Sequence, residues 1–380
     1  MAEQAKVPAI RFAGFTDPWE QRKLGELFEE SDERASDREI LSVSVANGIY
    51  PASESDRETN PGASLANYKI VHFGDVVYNS MRMWQGAVDA SRYDGIVSPA
   101  YVVARPNSEV YARFFARLLR QPMLLKQYQQ VSQGNSKDTQ VLKFDDFASI
   151  GISMPASENE QRRIGGFFDR LDSLITLHQR KYDKLVIFKK SMLEKMFPKD
   201  GESVPEIRFA GFTDPWEQRK FSNLTDRVSM QSSDPDLPQV EYEDIVSGEG
   251  TLNKDLRDKE GGKTGIKFYA GDVLYGKLRP YLMNWLYPQF NGVAVGDFWV
   301  LRATECDSSF LYRLVQTDSF QRLANVSSGS KMPRADWNLI SQSFFAVPAD
   351  YAEQRVIAKS LAELDDLITL HQRKRLWFAK

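Results

Sequence analysis

One cysteine (Cys306) and three histidines (His72, His178 and His371) are all that 380 residues offer to redox or soft-metal chemistry. A single thiol excludes an internal disulfide framework and fits a reducing compartment. So few ligand-type side chains do not make a spaced metal site, and no metal is expected. Residues 1–15 hold no apolar stretch of signal-peptide kind, and no run approaches membrane-spanning length, so a cytoplasmic protein without a membrane partner is expected. Positive charge is also short: the net charge is −3, and both long variable segments described below are acidic. That argues against autonomous nucleic-acid binding, because phosphate neutralisation by Lys and Arg supplies most non-specific affinity. If DNA is a ligand, a partner contributes much of the positive surface. Catalytic signatures are missing too. GGKT at 261–264 lacks the phosphate-loop glycine, since position 257 is Arg, and reads as a turn. The chain has no glycine-rich cofactor loop and no Asn-Pro-Pro-aromatic string of the kind that flips and methylates a base. PDLPQVEYED at 235–244 evokes a nuclease carboxylate cluster without the lysine that should follow, and reads as a solvated acidic loop. A non-catalytic chain is expected.

What the sequence does have is repetition. IRFAGFTDPWEQRK occupies residues 10–23 and again 207–220, and LDSLITLHQRK at 171–181 returns as LDDLITLHQRK at 364–374. Glu160-Gln161-Arg162 returns as Glu353-Gln354-Arg355. Between these flanks lie segments 24–155 and 221–348, of 132 and 128 residues, which share only faint landmarks such as Gly74-Asp75-Val76 and Gly271-Asp272-Val273. Near-constant connectors around divergent modules suggest one scaffold carrying two recognition faces, although recent duplication with relaxed divergence produces the same pattern. The expected organisation is a first recognition domain at 1–155, a spacer helix at 156–200, a second recognition domain at 201–348 and a C-terminal spacer helix at 349–380.

The spacer segments carry the clearest structure. From Ile164 apolar positions step by four and three through Phe168, Leu171, Ile175, His178, Tyr182 and Leu185 to Met196, which is a heptad seam. The second copy repeats it from Ile357 through Leu361, Leu364, Ile368 and His371 to Phe378, with Leu174, Leu177, Leu367 and Leu370 widening the stripe. A helix over 157–197, stopped before Pro198, is expected to pair antiparallel with its copy around a pseudo-twofold axis. The modules read as α+β. IVHFGDVVYNSM and IKFYAGDVLYGKL look like strands turning at Gly-Asp, and YVVARP and FWVLRA like core strands. Helices follow at 111–131, interrupted by Pro122, and at 308–326 without interruption.

FAGFTDPWEQRKLGEL, the Pro155…Glu160-Gln161-Arg162…Ile164 entry to a long helix, LITLHQRK and the KMFP helix end together resemble the specificity subunit of type I restriction-modification enzymes. The resemblance is strong in the repeated flanks and weak inside the two modules. It implies a subunit that is not itself an enzyme. Each module reads half of an asymmetric bipartite site in double-stranded DNA, the helices set a non-specific spacer, two methyltransferase subunits dock on the helices, and restriction subunits join. It also implies S-adenosylmethionine in the methyltransferase partner, with no cofactor in this chain. A stand-alone two-headed DNA-binding regulator and a structural coiled-coil adaptor are the rival classes.

For base reading, polar or planar side chains on glycine-containing loops are wanted, since Asn or Gln suits adenine and Arg or Lys suits guanine. In the first module these are Asn79, Arg82, Trp84 and Gln85, with Asn135, Ser136, Lys137, Thr139 and Gln140. In the second they are Lys277, Arg279, Tyr281 and Asn284, with Ser330, Lys331 and Arg334. The competing reading makes Met81, Met83, Trp84 and Tyr281 core and the charges merely solvated. Docking is assigned to Glu160, Gln161, Arg162, His178, Gln179, Arg180 and Lys181 and to their copies Glu353, Gln354, Arg355, His371, Gln372, Arg373 and Lys374. The alternative is that these are helix caps and coiled-coil flanking charges.

Overall fold

The computed structural model describes residues 7–55, 64–134, 140–256, 259, 261–326 and 332–379. The chain divides into two compact units, Met1–Leu174 and Ile175–Lys380. The division falls inside one long helix rather than at either edge of it.

The first unit is built on a four-stranded sheet of β1 (Phe28–Glu30), β2 (Val76–Asn79), β3 (Val88–Ala90) and β4 (Tyr101–Pro106). The strands lie in the order β1-β4-β2-β3, all neighbours antiparallel. A positive φ of 93° at Gly74 turns the chain into β2, as Gly-Asp predicts. Asp75 then fixes the turn by accepting from the His72 N–H at 2.9 Å. On the sheet lie α1 (Ala112–Leu118) and α2 (Pro122–Val131). Pro122 occupies the first turn of α2, where its missing N–H costs nothing. Tyr78, Phe115, Tyr128 and Phe147 fill the core with no exposed surface.

The second unit repeats the plan. Strands β5 (Thr225–Val228), β6 (Val273–Gly276), β7 (Trp285–Leu286) and β8 (Phe298–Ala303) take the order β5-β8-β6-β7. Asp272 accepts from the Tyr269 N–H at 2.8 Å as Asp75 does in the first unit. The continuous helix expected over 308–326 is instead two, α4 (Ser308–Leu314) and α5 (Asp318–Ala324). Thr317 makes the break: its hydroxyl accepts from the Phe320 N–H and caps α5. Cys306 is buried beside this layer, its sulfur 3.3 Å from the Leu224 carbonyl, and burial pushes its thiol up to about 12. It is a packing residue, not a reactive one.

The long helix α3 runs Glu158–Lys195 and the last, α6, Tyr351–Ala379. Within the second unit the later turns of α3 lie antiparallel to α6. His178 Nδ1 meets His371 Nδ1 at 2.8 Å, and Lys189 Nζ meets Asp365 Oδ1 at 2.5 Å. His178 and His371 are copies of one another, so at this contact a residue touches its own repeat. Ile368 and Met196 are buried along the seam, but Leu177, Leu367 and Leu370 are exposed, so the stripe is narrower than the sequence suggests. Leu174, in the first unit, is exposed as well.

Candidate nucleic-acid interface

The verbatim repeat is a joint between each module and its helix. In the first unit Arg11 donates both guanidinium edges to Glu160, Nε to Oε1 and Nη2 to Oε2, each at 2.6 Å, and the Trp19 indole adds a third bond. In the second, Arg208 grips Glu353 at 2.7 and 2.9 Å, with the Trp216 indole at 3.2 Å. The neighbouring amide does the same for the backbone. Gln161 accepts from the Tyr111 N–H and donates to the Glu109 and Pro155 carbonyls. Gln354 accepts from the Asp307 N–H and donates to the Pro348 carbonyl. All four of these side chains are at most 2% exposed. Glu160, Gln161, Glu353 and Gln354 are therefore corrected from docking residues to structural ones, because each is buried and saturated inside its own unit.

Other residues assigned to docking stay on the surface. Arg180, Lys181, Arg373 and Lys374 are exposed, and Gln372 is half-buried. Gln179, also half-buried, donates to Asp183. Arg162 is exposed, pairs with Glu158 and stacks over the Tyr111 ring, while Arg355 pairs with Asp307. His178 is buried at the helix seam and His371 is half-buried there, which places them between helices rather than on an outer face. Leu174, Leu177, Leu367 and Leu370, read from sequence as part of the seam, are exposed as well.

The base-reading candidates lie on two segments far apart in sequence, and among the described residues one matching backbone bond joins the two segments in each unit. In the first, the Leu142 N–H donates to the Ser80 carbonyl at 2.9 Å. In the second, the Ala335 N–H donates to the Lys277 carbonyl at 2.8 Å, and the Arg279 N–H to the Pro333 carbonyl at 2.7 Å. Ser80 and Lys277 in turn donate to the Ala100 and Asp297 carbonyls, at 3.2 and 2.9 Å. The frame is conserved between units while its side chains differ.

On that frame the first unit displays Met81 and Arg82, with Arg82 donating to Gln85 at 3.1 Å. Asn79 accepts from the Met81 N–H, and Gln140 donates to the Gln129 carbonyl. Trp84 packs against the core and donates to the Met81 carbonyl, which fits the competing core reading. Asn135, Ser136, Lys137 and Thr139, like Ser330 and Lys331, lie outside the described residues. The second unit gathers cations around one carboxylate: Lys277 Nζ is 3.5 Å from Asp297 Oδ1 and Arg334 Nη2 is 2.9 Å from Asp297 Oδ2. Beside them Arg279 and Met283 hold left-handed backbone at φ 51° and 52°, and the turn between them exposes Tyr281 and Leu282. Asn284 is 8% exposed and leaves the set, since a buried side chain offers little surface to a ligand. The sequence reading missed Asp297, which pairs with both cations, and the exposed Leu282, Met283 and Met332; of the residues that the competing reading placed in the core, Met83 is buried and Met81 and Tyr281 are exposed.

The acidic stretch is not a solvated loop. Asp244 is fully buried; burial alone would raise its carboxyl, but hydrogen bonds from Lys254 and Lys259 outweigh that and hold it low. Glu241 pairs with Lys259 and Lys263. These lysines, distant in sequence, turn the cluster into a neutralised structural knot. Among the described residues no group of acidic, His or Cys side chains is placed to hold a metal, and no helix is long and apolar enough to cross a membrane.

Residues 16–186 match the family described as the type I restriction modification DNA specificity domain. The EcoDI specificity subunit of a type I restriction enzyme from Escherichia coli is 26% identical over 177 residues, which cover 44% of this chain and 39% of that relative. Less than half of the relative's length is thus matched. The crystal structure of a type I restriction-modification S subunit from M. genitalium superposes with a TM-score of 0.54 at 12% identity, covering 99% of this chain and 96% of that one. The HsdS subunit of Thermoanaerobacter tengcongensis aligns at a TM-score of 0.48 and 16% identity, over 95% and 93% of the two chains. Residues 16–186 thus form a module of the DNA-specificity class. Over those residues the chain is similar to the specificity subunits of type I restriction-modification enzymes.

Proposed function

We propose that the chain is the non-catalytic reader of an asymmetric bipartite DNA site, with each unit recognising one half through its paired loops. The carrying observation is the shared loop frame, closed by Leu142 on Ser80 and by Ala335 on Lys277, which holds different side chains in the two units. A constant frame with variable tips is what two half-site readers of one ancestry require, because the frame positions and the tips specify. Arg82 in the first unit and Lys277, Arg279 and Arg334 in the second are the proposed base and phosphate contacts, with Tyr281 available for stacking or for a thymine methyl. Two methyltransferase subunits, each holding S-adenosylmethionine, are proposed to dock on the helical surface of exposed leucines with Arg180, Lys181, Arg373 and Lys374. Restriction subunits complete the assembly in the cytoplasm. The gap between half-sites follows the length of α3 and α6.

The test is co-expression with the methyltransferase subunit and mapping of methylated adenines in host DNA. Two short defined blocks around a fixed undefined gap are expected, and a heptad inserted into both helices should lengthen the gap alone. No motif, with a methyltransferase that methylates when paired with another specificity subunit, would overturn the reading in favour of a coiled-coil adaptor.

A further inference from the structure

One guanidinium of the first unit is drawn into the fold without a counter-charge. Arg117 of α1 pairs with Asp172, as Arg313 of α4 pairs with Asp365, so the two helices align residue by residue around this contact. One position earlier Ala116 answers to Tyr312, and three positions later Arg120 answers to Gln316. In the second unit both side chains are settled. The buried Tyr312 ring stacks on Tyr287 with centroids 5.3 Å apart, and its hydroxyl comes so near Gly250 that a Cβ there would collide with it. Gln316 is neutral and donates to the Tyr312 carbonyl at 3.0 Å.

The first unit has neither the ring nor the neutral amide. Beside Ala116 lies a cavity of about 400 Å³, between α1 and the hairpin of Leu41–Ser44 and Gly48–Pro51, a volume in the range of ligand sites. Four arginines, 92, 113, 117 and 120, line it. The first three share Asp89, Asp169 and Asp172 among them. Arg120 has no carboxylate at ion-pair distance among the described residues, and Glu54 at the cavity wall is exposed to solvent. The Arg120 Nε donates to the Val88 carbonyl at 2.8 Å, but its Nη2 is buried and finds no acceptor among the described residues. Burial pulls Arg120 below the ordinary arginine pKa, and the attraction of Asp89 does not make up the loss. A charge buried without a partner is strongly unfavourable, and an unpaired guanidinium N–H is suited to the oxygens of a phosphate.

We propose that this cavity binds one oxyanion of phosphate type, with Arg120 as its counter-charge. Three arginines balanced by three aspartates leave a single positive charge, which favours one phosphate group over a polyphosphate whose further charges would meet Asp89 and Asp172. The paired loops contribute no residue to the cavity, so failure of this proposal leaves the DNA-reading assignment untouched.

The probes are inorganic phosphate and dimethyl phosphate, each titrated into the full chain with ionic strength held constant by sodium chloride and read by phosphorus NMR line width and by melting temperature. Saturable binding is expected, with a melting temperature that rises as the probe is added. Preference for dimethyl phosphate identifies the ligand as a phosphodiester of a nucleic-acid backbone, and preference for inorganic phosphate identifies a free phosphate or a phosphomonoester. Arg120→Gln, which copies the second unit, should weaken binding at least tenfold. Ala116→Tyr keeps the charge and fills the space, since Gly48 lacks a Cβ as Gly250 does, and should abolish binding; if Arg120→Gln does not fold, this variant decides alone. No saturable binding of either probe, an equal response to chloride alone, or wild-type affinity in both variants would overturn the proposal.

Discussion

At the joint, the first unit sets Arg11 and Trp19 on Glu160 and the second sets Arg208 and Trp216 on Glu353, with the two indole bonds at 3.3 and 3.2 Å and the guanidinium bonds at 2.6 and 2.6 Å against 2.7 and 2.9 Å. At the loop tips the same two units share one arginine, Arg82 and its counterpart Arg279, and differ around it: Met81 and Trp84 on one side, Leu278 and Tyr281 on the other. The contrast follows from what each position must satisfy. A buried carboxylate needs its full set of donors, and a near miss leaves a charge uncompensated, so the joint tolerates little change. An exposed tip on a hydrogen-bonded frame meets no such demand, and its side chains are free to differ with the sequence they contact.

The apolar groove beside the joint, closed by Phe197 on Trp216 and Phe310 in the second unit and lined by Trp19, Phe114 and Phe168 in the first, offers the sharpest way to break the likeness of the units. Phe197→Ala removes a ring stacked on Phe310 inside the second core, and is expected to cost about 3–5 kcal/mol. Phe168→Ala, at the open groove of the first unit, is expected to cost about 1 kcal/mol or less. Hydrogen exchange resolved by unit should show the first substitution loosening 175–380 and the second leaving protection unchanged. Equal losses from both would mean that the first groove is already filled.

The joint offers the converse test. Gln161→Ala and Gln354→Ala each strand buried backbone groups, at about 1–3 kcal/mol for each orphaned group. Denaturant midpoints should fall in both variants, with no change in the methylated sequence. A shift in sequence preference without a loss of stability would return these glutamines to the interaction surface.

How much of this was legible beforehand depends on how far apart in sequence the deciding partners lie. Heptad spacing located α3 and α6 to within a few residues, and Gly-Asp located the turns into β2 and β6, because both signals are local. The break at Thr317 was missed although its signal is local too: a hydroxyl ready to cap, followed by Asp318, outweighs apolar periodicity. Glu160 reads as a solvated helix start until Arg11 arrives from 149 residues away, and Asp244 reads as a solvated acid until the lysines fold back on it. The approach of Leu142 to Ser80 leaves no trace in composition, since it is made by backbone atoms alone.

The tips themselves should separate by half-site. Arg334→Ala in the second unit removes a side chain able to grip guanine in two places, an interaction worth about 1–3 kcal/mol of discrimination. Methylome mapping should then show relaxed preference in one block of the site only. Arg82→Ala should relax the other block. If both variants affect the same block, the units do not divide the site between them.

The smallest effect sits where the two repeats meet themselves. With His178 Nδ1 and His371 Nδ1 at 2.8 Å, one nitrogen donates and the other accepts, so the contact holds a single proton and fails when both rings are charged. Burial, with the nearby His178, Lys181 and Lys374, lowers the pKa of His371 from its ordinary 6.5. The folded state thus binds protons less readily than the unfolded state, and stability must rise with pH across the titration. The contribution is complete above about pH 6.5, declines as pH falls through that value, and is gone below the folded pKa. Melting temperatures of the wild type should therefore drop between about pH 7 and 5 by more than those of His371→Gln, whose amide carries no charge. Because the contact pairs copies, His178→Gln should flatten the profile to the same degree, and the double variant should lose less than the sum of the two. A double variant with fully additive losses would show that the rings act separately, and that the meeting of the repeats at this seam adds no stability of its own.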